Sequence, residues 1–205
     1  ASACEKYNSH LIHVSTDFIF DGVSGPYDED STANPISYYG ESKLAAENIV
    51  KNSSCKYSIV RTVLVYGLVD NMSRSNIVLW AKGALESGKE LTVVDDQYRT
   101  PTLAEDLAHG CILIAQKGAE GIYNISGDDY MCVLDLVKRV AKYFELDENL
   151  VKPISSSSLN QKAARPPKTH LLLDKAKKEL DYKPSSFEEG LSILDVQLYA
   201  RQNEE

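Results

Sequence analysis

Tyr39 and Lys43 stand four residues apart in the run YYGESK at positions 38–43. On an α-helix, positions i and i+4 share a face, so this spacing brings an ammonium beside a phenol. A phenol with a pKa of about 10 is a poor acid–base group at neutral pH, and a nearby cation lowers that value by favouring the phenolate. Lowering it by about two or three pH units, at about 1.4 kcal/mol each, makes the group useful in proton transfer. Tyr38 lies about 100° round the same helix and is the poorer partner for Lys43. Upstream, the apolar run 11–14 ends in Ser15-Thr16-Asp17. A hydroxyl at the carboxyl end of a parallel strand stands where open α/β sheets place their ligands. Each motif alone has an ordinary structural use, as a solvated helix face or as turn capping. Together they point to proton transfer at a substrate oxygen.

The elements that must position these groups follow from hydropathy and turn signals. Residues 2–8 look like the last turns of a helix, and 11–14 (LIHV) like a buried strand. Turn residues Asp21-Gly22 and Gly25-Pro26-Tyr27 lead to Asn34-Pro35, a helix N-cap and first-turn pair, with the helix running to about Val50. Residues 57–62 (YSIVRT) form a second buried strand, parallel to the first because a helix lies between them. Residues 68–75 are a polar loop, and 76–86 a helix ending at Gly88. Strand 90–95, helix 102–116, strand 121–126 and helix 133–144 follow. A serine-rich loop covers 155–160, a short strand 171–174, and helices 175–180 and 186–202 close the chain. Strands alternating with helices predict an α/β fold with a parallel sheet.

Composition limits what such a fold can do. The chain has 205 residues, 43% hydrophobic and 25% charged, enough for a real core. Its net charge of −8 is the opposite of a nucleic-acid binder's footprint. The apolar runs are too short to span a membrane, and the first residues lack the basic and apolar regions of a signal peptide. Cys4, Cys55, Cys111 and Cys132 show no metal-ligand spacing and read as reduced thiols of a cytoplasmic protein. His10, His13, His109 and His170 likewise form no metal spacing. Trp80, Tyr123, Tyr143 and Tyr182 fall at apolar-face positions and read as core. Asp28-Glu29-Asp30 reads as a solvated acidic loop.

The stretch HVSTDFIFDGVSGPYDEDSTANPISYYGESKLAAE resembles the extended short-chain dehydrogenase/reductase family, and within it the dTDP-4-dehydrorhamnose reductases and their relatives. The resemblance continues through IVRTVLVYG, VVDDQYRTPTLAEDLA, GIYNISG and ARPPKTHLLLDKAKKELDYKP. It implies an NADPH- or NADH-dependent reduction of a keto group on a nucleotide-linked sugar. Tyr39 would then be the catalytic acid, Lys43 the group that binds the nicotinamide ribose and lowers the tyrosine pKa, and Thr16 the hydroxyl that orients the carbonyl. Ser15 joins Tyr39 and Lys43 on the cofactor side. Asp17, Arg99 and Arg165 join Thr16 on the substrate side, the arginines as candidates for a diphosphate. Dehydrorhamnose reductases commonly carry a small residue where Arg99 stands.

Two other functions stay open: a sugar-nucleotide epimerase or dehydratase, and a non-catalytic regulatory subunit like that of methionine adenosyltransferase. Phe18 occupies a position where such dehydratases often have Glu, which favours the reductase. A nucleotide sugar is the expected partner, with no nucleic acid and no membrane; no residue is assigned to a metal, and metal dependence and a homodimer both stay open.

The fold this implies is the second half of a Rossmann-like parallel sheet with an interleaved small substrate lobe. Residues 1–66 would belong to the cofactor domain and 67–205 mainly to the lobe, with 100–127 returning to the sheet. No glycine-rich G-x-G-x-x-G turn occurs in the sequence, so the pyrophosphate cradle is expected to lie in residues preceding Ala1. This chain alone is therefore expected to bind dinucleotide poorly.

Overall fold

The computed structural model describes residues 1–69, 75–159 and 163–203. The polar loop 68–75 and the serine-rich stretch 155–160 thus fall partly outside the described residues. Helix α1 (Ser2–Tyr7) leads into strand β1 (Leu11–Thr16), and helix α2 (Tyr38–Lys51) connects β1 to strand β2 (Tyr57–Thr62). β1 and β2 pair in parallel, Leu11 opposite Tyr57 and Thr16 opposite Thr62. Short strand β3 (Val65–Tyr66), helix α3 (Ile77–Glu86), strands β4 (Leu91–Val94), β5 (Tyr98–Arg99) and β6 (Thr102–Leu103) and helix α4 (Ala104–Lys117) follow. Strand β7 (Gly121–Asn124) then returns to the first sheet and pairs in parallel with β2, giving the order β1-β2-β7. β2 is the middle strand and is buried from Ser58 to Thr62. That is the pattern of a parallel strand covered on both faces.

The remaining elements build a second layer. Strand β8 (Met131–Cys132) pairs antiparallel with β5, and strand β9 (Val151–Ile154) pairs in parallel with β4. Helices α5 (Val133–Tyr143) and α6 (Phe187–Gln202) pack with α3 around a core that includes Tyr66, Val78, Leu136, Val140 and Leu191. A separate core under the three-stranded sheet combines Val60, Ile114, Tyr123 and Ile125 with Leu173, Ala176, Leu180 and Tyr182. Thus Leu173, Ala176, Leu180 and Tyr182 share this core with residues of α4 and β7.

Several local expectations are corrected by tertiary contacts. Helix α2 is capped by Ser37, whose hydroxyl accepts from the Gly40 N–H at 3.2 Å. Asn34 is drawn away from capping because its side chain donates to Asp21 Oδ2 at 2.9 Å. The expected helix start at 102 moves to Ala104, since Thr102 and Leu103 pair with Val65 and Tyr66 as a short parallel ladder. The expected strand 171–174 reduces to a single bridge between Tyr27 and Leu171, followed by a π-helical turn, Ala176–Leu180. Trp80 is not core: α3 buries Val78, Ala81 and Leu85, and the indole lies off that face, 42% exposed.

The acidic loop is also not wholly solvated. Glu29 turns inward and accepts from the Asn124 N–H at 2.9 Å. Burial pushes its carboxyl above the ordinary range, against the pull of Asn124 and Lys175.

One buried ion pair fastens α2 to the sheet. Arg61 on β2 meets Glu47 on α2 through two hydrogen bonds, Nε to Oε1 at 3.1 Å and Nη2 to Oε2 at 2.9 Å. Its Nη1 donates to the Glu29 carbonyl at 3.0 Å, and its guanidinium lies over the Phe20 ring. Glu47 is 0% exposed. Burial pushes the Glu47 carboxyl up, but hydrogen bonds and charge from Arg61 outweigh it, with help from Lys51, and leave the group below its ordinary value of 4.5. A carboxyl depressed in the native state stabilises fully above its unfolded pKa, and that contribution is lost as pH falls through the native value. Glu47→Ala, which strands a buried guanidinium, is expected to cost about 3–5 kcal/mol in urea denaturation at neutral pH. Between about pH 5 and pH 3, wild type should lose stability more steeply than Glu47→Gln, which has no carboxyl to protonate; equal slopes would contradict the role given to this pair.

Candidate active site

A cavity of about 450 Å³ opens where β1 and β2 end. Ser15, Thr16, Asp17, Tyr39, Lys43, Arg99 and Arg165 all line it. The sequence separates these side chains by up to 150 positions, and β1, α2, β5 and the segment around Arg165 bring them together. Tyr38 turns out to solvent, 84% exposed, while Tyr39 faces the cavity and is 53% exposed. The helical offset between adjacent residues separates the two phenols.

α2 brings Tyr39 and Lys43 to the strand end through a close backbone approach. A Cβ built on Gly40 would lie 2.2 Å from the Phe18 carbonyl oxygen and 2.9 Å from Pro35 Cβ. Only a residue without a side chain lets the first turn of α2 rest on the Thr16–Phe18 turn. The Phe18 ring then meets Tyr39 edge-on, with centroids 5.9 Å apart. Lys43 Nζ donates to the Val14 carbonyl at 2.7 Å, which ties the middle of α2 to β1. An ammonium has three donors, so this bond leaves two.

Thr16 and Asp17 form a short hydrogen-bonded chain. The Thr16 hydroxyl accepts from the Phe18 N–H at 3.2 Å and donates to Asp17 Oδ1 at 3.0 Å. The Thr169 hydroxyl donates to Asp17 Oδ2. Asp17 is 2% exposed. Burial pushes its carboxyl above the ordinary range, against the pull of Thr169, the Arg99 charge and Thr16. Ser15 is buried as well, and its hydroxyl finds no hydrogen-bond partner among the described residues.

The two arginines are held differently. Arg99 is buried, donates to three backbone carbonyls and lies over the Phe18 ring at 5.6 Å. Burial holds its pKa down, against the Asp17 charge. Arg165 is exposed, and among the described residues nothing pairs with its guanidinium.

Sequence reasoning passed over Thr169 and Gln97. Gln97 lies buried in the cavity wall, and Thr169 reaches Asp17 from far along the chain. Both sit inside the VVDDQYRTPT and ARPPKTH stretches; their partners, not their types, reveal them. Among the described residues, no group of three or more His, Cys, Asp or Glu side chains is placed to hold a metal ion.

A parallel α/β sheet with a cavity at its carboxyl edge, walled by a helix-borne Tyr and Lys, defines a Rossmann-like fold. Residues 1–198 match the family model described as RmlD substrate binding domain, and the chain belongs to that family. A dTDP-4-dehydrorhamnose reductase from Bacillus anthracis, solved in complex with NADP, superposes with a TM-score of 0.86 at 29% identity. The match covers 95% of this chain and 68% of that one. Among curated proteins, the chain is 32% identical over 150 residues to methionine adenosyltransferase 2 subunit beta of Xenopus tropicalis, covering 71% of this chain and 45% of the relative. It is 27% identical over 198 residues to the probable low-salt glycan biosynthesis reductase Agl14 of Haloferax volcanii, covering 96% of this chain and 66% of the relative. The chain therefore spans about half to two-thirds of the length of these curated relatives. No described helix is long and apolar enough to cross a membrane.

Gly40→Ala places a methyl inside the contact between α2 and the Phe18 carbonyl. It is expected to cost about 1–3 kcal/mol and to shift Tyr39 away from Thr16. A thermal melt reads the first effect and a crystal structure of the variant the second; an unchanged melt would mean that this contact is slack.

Proposed function

We propose that, in the full-length protein, this cavity reduces a keto group on a nucleotide-linked sugar, with NADPH or NADH as hydride donor. The observation that carries the reading is the convergence of Thr16, Tyr39 and Lys43 on one cavity that also holds two arginines. The reductases among the similar proteins support it. The four free thiols support a cytoplasmic location.

The residues fit the nicotinamide end of such a cofactor. Lys43 keeps two donors beyond its bond to Val14, suited to ribose hydroxyls, and the Tyr39 phenol is open to the cavity. Ser15 borders the same region. When bound, the dinucleotide supplies the hydride. The protein's own part is to hold and protonate the keto oxygen. Tyr39 donates its phenolic proton to that oxygen as it gains charge, and Lys43, on the same face of α2, is placed to hold the cofactor's ribose beside it. Thr16 supplies the second hydrogen bond; because its single proton points to Asp17 here, that hydroxyl must rotate toward the substrate. Asp17 lines the sugar side with the arginines, and Arg165 offers a guanidinium to the diphosphate. Residues 1–66 then serve the cofactor side and 67–205 mainly the substrate, with 100–127 supporting the sheet.

A second reading, a non-catalytic regulatory subunit, is favoured by the similarity to methionine adenosyltransferase 2 subunit beta. It does not call for Thr16, Tyr39 and Lys43 to share a cavity. A dehydratase is disfavoured by Phe18, which has no acid–base group.

In the full-length protein, Tyr39→Phe should lower turnover of a 4-keto-sugar nucleotide by about 10²–10⁴-fold, while sugar-nucleotide affinity in titration calorimetry stays unchanged. Normal turnover by the variant would overturn the mechanism. Absence of ketosugar reduction by wild type, together with co-purification of an S-adenosylmethionine synthase, would establish the regulatory reading.

A further inference from the structure

Two buried carboxyls, Glu47 and Asp17, are partnered in opposite ways. Glu47 spends both oxygens on the Arg61 guanidinium, which holds it charged. Asp17 spends both on hydroxyls: Thr16 donates to Oδ1 at 3.0 Å, and Thr169 donates to Oδ2. Arg99, whose charge acts on Asp17, gives its own N–H groups to the backbone carbonyls of Tyr98, Pro166 and Pro167. A carboxyl held by hydroxyls can take up a proton without breaking an ion pair. Burial favours that neutral form.

The count of donors and acceptors makes that proton consequential. A threonine hydroxyl has one proton and two lone pairs. With Asp17 ionised, Thr16 gives its proton to Oδ1 and one lone pair to the Phe18 N–H at 3.2 Å. What remains toward the cavity is a lone pair, which repels a keto oxygen. With Asp17 neutral, the Thr169 proton keeps Oδ2 as the acceptor, so the carboxyl proton sits on Oδ1. That proton is then donated to Thr16, both lone pairs of Thr16 are filled, and its own proton is free to turn to the cavity. Thr169 is fully buried and belongs to segment 165–169, a strap along the cavity wall. Its N–H ties the strap to the Tyr98 carbonyl at 3.2 Å, and Arg99 holds the strap through the carbonyls of Pro166 and Pro167. The hydroxyl that directs the Asp17 proton thus comes from a fixed wall.

We infer that Asp17 is a positioning residue that sets the hydrogen-bond sense of Thr16, holding its proton away from the cavity as the carboxylate and releasing it toward the substrate oxygen as the neutral acid. The proton that Asp17 takes up comes from solvent and returns to it, so the proton added to the substrate is still that of Tyr39. This rests on the reductase reading for the substrate. The ionisable groups that share the cavity wall are Tyr39 and Lys43 on α2, Arg99 on β5 and Arg165 on the strap; the Arg99 charge favours the carboxylate.

The pH dependence of kcat/KM for reduction of a 4-keto-sugar nucleotide by the full-length protein tests it, with carbon-13 titration of the Asp17 carboxyl as a second readout. In wild type, kcat/KM should fall by about tenfold or more as Asp17 ionises, because Thr16 must then break a bond to a charged group to reach the substrate. The carboxyl signal should titrate over the same range, above the ordinary aspartate value of 3.8. Thr169→Val removes a bond that favours the carboxylate, so the fall and the titration should both move up by about one pH unit. Asp17→Asn cannot ionise and should show no such fall, which separates this group from Tyr39. Loss of packing alone would lower the curve without moving it. A fall unmoved by Thr169→Val, a fall that persists in Asp17→Asn, or a carboxyl that titrates at the ordinary value would overturn the inference. The valine variant keeps the test decisive if the asparagine variant folds poorly. If wild type reduces no 4-keto sugar, the reductase reading fails, while the carboxyl titration and its shift in Thr169→Val still decide whether Thr169 controls the Asp17 proton.

Discussion

Everything that could be chemical in this molecule hangs on the buried pairing of Glu47 with Arg61. Helix α2 carries Tyr39 and Lys43, β2 is the middle strand of the parallel sheet, and this ion pair joins the two where water is excluded. A buried charge pair is weak evidence for net stability, because desolvation offsets much of its attraction. What it supplies here is register. A bidentate fork admits one position of α2 along β2, and the same guanidinium holds the Glu29 carbonyl, fixing the loop that follows β1. With the base of α2 fixed, Gly40 decides how closely its first turn approaches Thr16.

The rest of the cavity wall depends on backbone acceptors satisfied by side chains from remote parts of the chain. Asn124, at the end of β7, donates from its side chain to the carbonyls of Tyr27 and Leu172, and its backbone N–H meets Glu29. Arg99 does the same for Tyr98, Pro166 and Pro167. Buried carbonyls need partners. In loops without regular ladders, these polar side chains supply them, and the loops are thereby held as a shaped wall rather than a loose rim.

The electrostatics follow the same plan. The chain is acidic overall, yet among the described residues the cavity gathers Lys43, Arg99 and Arg165 around one buried carboxyl, that of Asp17. A local excess of cation inside an anionic protein suits an anionic small molecule and disfavours a polyanion, whose reach extends over the acidic surface. Asp17 touches both halves of this arrangement, through Thr16 toward the phenol and through Thr169 toward the strap.

The sequence by itself determined that Thr16, Tyr39 and Lys43 meet at one strand end, and the order of the large elements. Tyr39 and Lys43 were legible because helical periodicity fixes which residues share a face, and Thr16 because parallel strands end where such folds bind ligands. The parallel pairing of β1, β2 and β7 followed from helices lying between apolar runs. Tertiary structure alone decided what depends on partners distant in the chain. Asn34 carries the composition of an N-cap but is captured by Asp21, so Ser37 caps α2. Glu29 looks solvated until the Asn124 amide draws it inward. Strands β3, β5, β6 and β8 have two residues each, too few for any alternation to register in sequence. Arg99 and Arg165 look alike as residue types; only the carbonyls that surround one and leave the other open tell them apart.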